Sequence, residues 1–180
     1  MPRLTPLALS TLALLAERPM HPYEMYQLML QRREDRVVKV SAGSLYRAVE
    51  RLAADGYIAE TGVEREGNRP ERTVYTITAE GRDAVRSTLE QMLPEFVNEF
   101  PEFPMAIGEA HNLPSERVAE LLDERVARIR EFADLIDRGL EHIAEKGVAR
   151  HFVLNVHYTR AMLTAELDWA APTDRHTRAD

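Results

Sequence analysis

Apolar residues recur at helical spacing along most of the chain, and the pattern breaks at Pro, Gly and capping residues. Thr5 before Pro6 is a start signal, and Leu7, Leu9, Leu12, Leu14 and Leu15 predict a largely apolar, buried helix ending near Arg18-Pro19. His21-Pro22 opens a second helix, carrying Tyr23, Tyr26, Met29 and Leu30, to about residue 33. Ser41 caps a third, in which Leu45, Ala48, Val49 and Leu52 share one face and Gly56 supplies the stop. Ser44, Arg47, Glu50 and Arg51 are left on its other face. Tyr57–Thr61 and Thr73–Thr78 are rich in β-branched and aromatic residues, with Gly67-Asn68 at the tip of a polar hairpin between them.

Three helices and a two-stranded ribbon are the outline of a winged helix-turn-helix. Thr78 caps a fourth helix over about 79–93, with Val85, Leu89 and Met92 inward and Pro94 at its end. Residues 94–114 carry four Pro and Phe96, Phe100 and Phe103, too apolar for a free tether and expected to fold back against helices. From Ser115 to about Lys146, positions 119, 122, 126, 129, 133, 136, 140 and 143 form a heptad seam. Such a seam either packs inside its own domain or also meets a partner subunit, and the second reading is favoured. The last helix, about 149–170, has two apolar stripes. Phe152, Val156, Leu163 and Leu167 lie nearly opposite Leu154, Tyr158, Met162, Ala165 and Trp169, so the helix needs two neighbours.

The fold class expected is mostly α with a small two-stranded β wing: a winged helix-turn-helix domain and a C-terminal antiparallel helical dimerisation domain. The boundaries expected are 1–82 for the first domain and 83–114 for the connecting helix and linker. The helical dimerisation and effector domain follows over 115–172, and a flexible tail over 173–180. Leu122, Val126, Ile129, Ile136, Leu140, Ile143, Phe152, Val156 and Leu163 are the dimerisation residues expected.

Charge sharpens the division. The net charge of −7 resides in the second half: residues 1–82 sum to +1 and residues 83–180 to −8. The asymmetry suggests two functionally different parts, although a near-neutral first half is no signature of nucleic-acid binding. The absence of Cys excludes disulfide frameworks, thiolate zinc sites, Fe–S clusters and cysteine nucleophiles. The longest apolar stretch, Leu4 to Ala16, is too short to span a membrane, and Glu17-Arg18-Pro19 after it is no signal-peptide cleavage site. A cytoplasmic location, with no membrane partner, is expected.

Several fragments in order carry a family resemblance. Leu4-Thr5-Pro6-Leu7 through Leu15 and Met20-His21-Pro22-Tyr23-Glu24-Met25 resemble the opening of the PadR family of bacterial transcriptional regulators. Gly43-Ser44-Leu45-Tyr46-Arg47-Ala48, continuing to Arg51-Leu52 and Asp55-Gly56-Tyr57-Ile58, resembles the family's recognition-helix signature, with Ser44 where Thr is usual. Gly67-Asn68-Arg69-Pro70 and Tyr75-Thr76-Ile77-Thr78 with Gly81-Arg82 resemble the wing and the helix after it. The resemblance covers residues 4–82 closely and the remainder only by helical layout. It implies a homodimeric repressor whose C-terminal helices pair subunits and often form an effector pocket. The alternatives are a winged-helix protein-interaction module or a transcriptional activator.

In such a motif the N-terminal turn of the second helix meets base edges, and the wing fixes the frame on phosphates. That assigns Ser41, Gly43, Ser44 and Arg47 to the major groove, with Arg47 as base reader because its fork matches guanine O6 and N7. The plainer alternative for Arg47 is a phosphate contact or surface ion pair, and for Ser41 a pure capping role. Tyr46, at the border between core and groove, is either a phosphate contact or packing; Arg69 and Arg72 are phosphate candidates on a wing blunted by Glu64, Glu66 and Glu71, and Lys39 is a further one. The partners expected are double-stranded DNA bearing an inverted repeat and a second copy of the chain.

A small aromatic effector is a further expected partner. His151, Tyr158 and Trp169 with Phe96, Phe100 and Phe103 are candidates to line its apolar pocket, although aromatics at helical spacing are more often plain core. Some members of the family bind phenolic acids or planar drugs. The six His are scattered and no His-Glu-x-x-His occurs, so no metal, no cofactor and no catalytic constellation is expected.

Overall fold

The computed structural model describes residues 3–64, 72–171 and, for side chains, all of these except Val63 and Glu64. The chain divides into two compact units, residues 1–98 and 99–180.

In the first unit, α1 (Pro6–Glu17), α2 (Pro22–Gln31) and α3 (Ala42–Ala54) precede β1 (Ile58–Glu64), β2 (Arg72–Ile77) and α4 (Ala79–Met92). Thr5 caps α1, its Oγ1 accepting the Ala8 N–H at 3.3 Å, and Pro6 begins the helix. The apolar α1 supplies Leu12, Leu14 and Leu15 to a core shared with Met25 and Met29 of α2 and Leu45, Val49 and Leu52 of α3. α2 ends at Gln31, two residues earlier than its apolar spacing suggests, and a 3-10 turn over Glu34–Arg36 leads towards α3. β1 and β2 pair antiparallel from Ile58–Ile77 to Glu64–Arg72, with an irregularity between Glu60 and Gly62. The hairpin tip Gly67-Asn68 lies outside the described residues.

Two joints fix the base of this ribbon. Met20 and Tyr75 exchange both backbone hydrogen bonds at 3.1 Å, tying the entry of α2 to β2. Thr78 Oγ1 accepts the Gly81 N–H at 3.0 Å and donates to the Gly56 carbonyl at 2.9 Å. Gly56, at φ +77°, turns the chain out of α3 as its position after the helix predicts. Gly81 meets a different demand: a β-carbon there would stand 2.2 Å from the Tyr57 carbonyl oxygen.

α4 packs on α1, its buried residues are Gly81, Ala84 and Thr88, and Thr88 Oγ1 accepts the Leu4 N–H at 3.3 Å. Leu89, expected to face inward, is exposed, because the buried line follows positions 81, 84 and 88 and Leu89 falls beside it. α4 thus belongs to the core of the first unit, not to a connector. Beyond it Leu93 and Phe96 are exposed within that unit, unlike the folded-back linker expected of them.

The second unit contains α5 (Glu102–Gly108), α6 (Ser115–Glu145) and α7 (Leu154–Ala170). α6 and α7 are antiparallel: Arg125 pairs with Glu166, Nη2 to Oε1 at 2.5 Å, and Arg160 Nε donates to Asp137 Oδ1 at 2.8 Å. The heptad seam is covered at home. Val126, Ile129, Ala133 and Ile136 are buried and Leu122, Leu140 and Ile143 half-buried, with Val156, Leu163 and Leu167 half-buried on α7. α7 starts at Leu154, not near 149, because residues 150–153 form a 3-10 turn. The changed pitch removes Phe152 from the packed stripe, and it is 72% exposed.

Candidate nucleic-acid interface

The interface expected from sequence centres on the start of α3. Ser41 and Ser44 close a reciprocal capping box: Ser41 Oγ accepts the Ser44 N–H at 3.2 Å, and Ser44 Oγ accepts the Ser41 N–H at 2.8 Å. Ser44 Oγ also donates to the Ser41 carbonyl at 2.9 Å. Both hydroxyls are therefore committed to building the helix end, and Ser44 is half-buried. Arg47 is exposed, one turn further on, and reaches back along the helix until Nη1 lies 3.6 Å from where a β-carbon of Gly43 would be. Among the described residues it forms no ion pair, so its fork of donors faces outward from the leading turn of α3.

Around this turn the fold gathers residues from three other segments. Lys39 is exposed just ahead of the Ser41 cap. Tyr46 is partly exposed and meets the His21 ring edge-on, with centroids 6.4 Å apart. The Arg72 guanidinium, at the start of β2, stands over the Tyr23 ring at 5.8 Å from its centroid. Tyr23 and His21, in the first turn of α2 and its cap, carry no DNA role in the sequence reading, which treats Tyr23 as part of the second helix's apolar pattern. The signal available was their place in the leading turn of the first helix of the motif, which crosses the backbone of the duplex. Arg69 lies outside the described residues.

Electrostatics on this unit separate structural from available cations. Arg32 is tied to Glu17 through two hydrogen bonds of 2.5 and 2.8 Å, which hold the Glu17 carboxyl below the usual range and raise the Arg32 guanidinium. Arg18 is similarly paired with Glu24 at 2.5 Å. Burial raises the Tyr75 phenol, with Glu60 and Glu50 adding to the shift.

Of the residues expected to line an effector pocket, the second unit brings Phe103 and Trp169 together. In the second unit a cavity of about 550 Å³ is walled by Phe103, Ile107, Leu122, Ile129, Phe132 and Leu163, with Arg125 and Glu166 among its polar lining. The Arg125 guanidinium stacks 3.6 Å from the Phe103 ring centroid. Of the aromatics named from sequence only Phe103 lines this cavity; Trp169 packs edge-on against it at 5.8 Å. His151 stacks on Phe152 at 4.1 Å, and Tyr158, Phe96 and Phe100 are well exposed. His151 and Trp169 are 18 residues apart, so even on one helical face they would be separated by roughly 27 Å. Among the described residues no group of three or more His, Asp or Glu is placed to hold a metal, and no helix is long and apolar enough to cross a membrane.

Solved structures share this architecture. PadR of Bacillus subtilis in complex with operator DNA superposes with a TM-score of 0.80 at 14% identity, covering 91% of this chain and 94% of its own. The same protein in complex with p-coumaric acid gives 0.74 at 13% identity, over 91% and 94%. The protein smu.1604c of Streptococcus mutans gives 0.65 at 21% identity, over 93% and 96%. At such identities the likeness is one of fold. No curated protein matches the chain in sequence. The model of the transcriptional regulator PadR-like family matches residues 11–87, the stretch from α1 through α3 and the two strands into α4, and over that stretch the chain is similar to this family.

Proposed function

We propose that the chain is a homodimeric, sequence-specific DNA-binding repressor whose α3 reads the major groove and which a small aromatic molecule releases from its operator. The observation that carries the DNA reading is Arg47, free of ion pairs among the described residues and lying over Gly43 at the leading turn of α3. A planar fork of donors at that place suits guanine O6 and N7, and Lys39 and Arg72 flank it for phosphate oxygens.

The dimer is supported by what α7 leaves uncovered. Its Val156–Leu163–Leu167 side packs on α6, whereas Leu154, Tyr158 and Met162 on the other side are exposed, with Leu121 and Leu135 of α6 also outward. Since the heptad seam is occupied within the chain, this outer stripe is the surface we assign to the partner, in place of Val126, Ile129 and Ile136. Two copies would present two recognition helices about one DNA turn apart, so the operator is an inverted repeat with half-sites about 10 bp, or a small multiple, apart. Release by an aromatic molecule draws on the B. subtilis relative that is described with p-coumaric acid. The 550 Å³ cavity is large enough for such a ligand.

The experiment selects duplexes with the full-length chain from a randomised pool and measures their binding by fluorescence anisotropy across about 50–300 mM salt. Enrichment of an inverted repeat bound roughly 10³-fold or more tightly than a scrambled duplex is expected. Recovery of no enriched sequence overturns the DNA reading.

A further inference from the structure

The entry of α2 carries an uncommon cap. Ser, Thr, Asp and Asn ordinarily fill this role, but here the Nδ1 atom of His21 accepts the Tyr23 N–H at 3.0 Å. An accepting Nδ1 bears no proton, so the ring is neutral with its hydrogen on Nε2. The same ring meets Tyr46 edge-on at 74°, within the separation at which aromatic edges and faces attract. Tyr46 sits on α3 immediately before Arg47. One residue before His21, Met20 is clamped to Tyr75 of β2 by two backbone hydrogen bonds, so the imidazole hangs from a fixed point of the sheet. A single side chain thereby joins the first turn of α2 to a surface residue of the recognition helix.

We propose that His21 is a positioning residue of the DNA-reading surface, acting through Tyr46. It caps α2 with one edge and holds the Tyr46 ring with the other, so that the two helices of the motif present their outer residues at one spacing. An Asn in its place would keep the cap but give Tyr46 no ring to pack against. The proposal rests on α3 being the helix that enters the groove.

Four variants of the full-length chain test it: His21→Ala, His21→Asn, Tyr46→Ala and the double His21→Asn/Tyr46→Ala. Melting temperature and affinity for the selected duplex are read on each. His21→Ala is expected to lower both. His21→Asn is expected to recover the melting temperature while binding about three- to tenfold more weakly, the scale of one aromatic pair. The double variant is expected to bind no more weakly than Tyr46→Ala alone. Full recovery of affinity by His21→Asn, or additive losses in the double variant, would reduce His21 to a cap and overturn the proposal. If the chain selects no duplex, the DNA reading fails by itself, and the Tyr46 ring resonances then decide the coupling. Displacement of those resonances in folded His21→Asn sustains it, and unchanged resonances overturn it.

Discussion

The guanidinium of Arg47 lies over Gly43, close enough that a β-carbon there would touch Nη1 at 3.6 Å. Side chains on a helix lean towards its N-terminus, so a long residue at position 47 serves the turn that begins at 43. Gly43 leaves that turn low, and the fork of Arg47 stands at the end of α3 that meets base edges in a helix-turn-helix.

Arg47→Ala should therefore relax discrimination at one base position by about 1–3 kcal/mol while the fold persists. Arg47→Lys should fail to restore it, since an ammonium cannot engage two acceptors in one plane. Competition anisotropy with single-base operator variants separates the cases. A uniform loss for all sequences, with the salt slope reduced by about one, would make Arg47 a phosphate contact.

Ser44 has a structural duty in the capping box. Ser44→Ala removes the N3 half of that box and should cost about 0.5–1.5 kcal/mol of stability by denaturant unfolding, the scale of one hydrogen bond, and leave the salt slope of DNA binding unchanged. A slope that falls would show that the hydroxyl also reaches a phosphate.

Gly81 is required because α4 crosses close to the Tyr57 carbonyl. Gly81→Ala should destabilise the first unit by about 1–3 kcal/mol or more through forced displacement of that backbone. Amide exchange should locate the loss at the wing base and the start of α4. An unaltered unfolding midpoint would refute the close approach.

Charges placed on the two sides of the α6–α7 pair should behave differently. Ile136→Asp puts an unpaired carboxylate under α7 and should unfold the second unit. Met162→Asp lies on the exposed stripe and should leave helicity intact while dissociating the dimer proposed above. Sedimentation velocity with far-ultraviolet circular dichroism distinguishes them, and a folded dimer unchanged by Met162→Asp would exclude that stripe as the interface.

The Glu17–Arg32 pair predicts a pH effect of definite sign. Arg32 lowers the Glu17 carboxyl below its ordinary 4.5, so the folded state binds that proton less readily than the unfolded chain. The stabilisation is present above about pH 4.5 and is lost as pH falls through the lowered folded value. Both side chains are roughly half-exposed, so the effect is small. Glu17→Gln should flatten the acid limb of the first unit's stability curve, and an identical limb in the variant would contradict the pairing.

Much of this molecule was legible from local signals. Thr5-Pro6, Ser41 and Thr78 cap helices where they stand in the chain, because a cap needs only its own residue and the next few N–H groups. Heptad spacing predicted α6 to within a residue at its C-terminal end, because helical periodicity is a property of one segment. The same local rules failed where a neighbour set the register. Leu89 fits an apolar helical face in sequence but lies beside the line of α4 that is buried, and the 3-10 turn at 150–153 rotates Phe152 out of its stripe.

The candidate site divides in the same way. Sequence by itself determined the winged-helix outline, the start and end of α3 and the place of Arg47 in its second turn, since capping, spacing and residue chemistry suffice for those. Only the tertiary structure decided that His21 and Tyr23 lie beside Tyr46 and Arg72, and that the heptad seam packs against the chain's own last helix. These facts depend on contacts between residues far apart in the chain, such as Met20 with Tyr75 and Arg125 with Glu166, and no pattern within one segment specifies its partner.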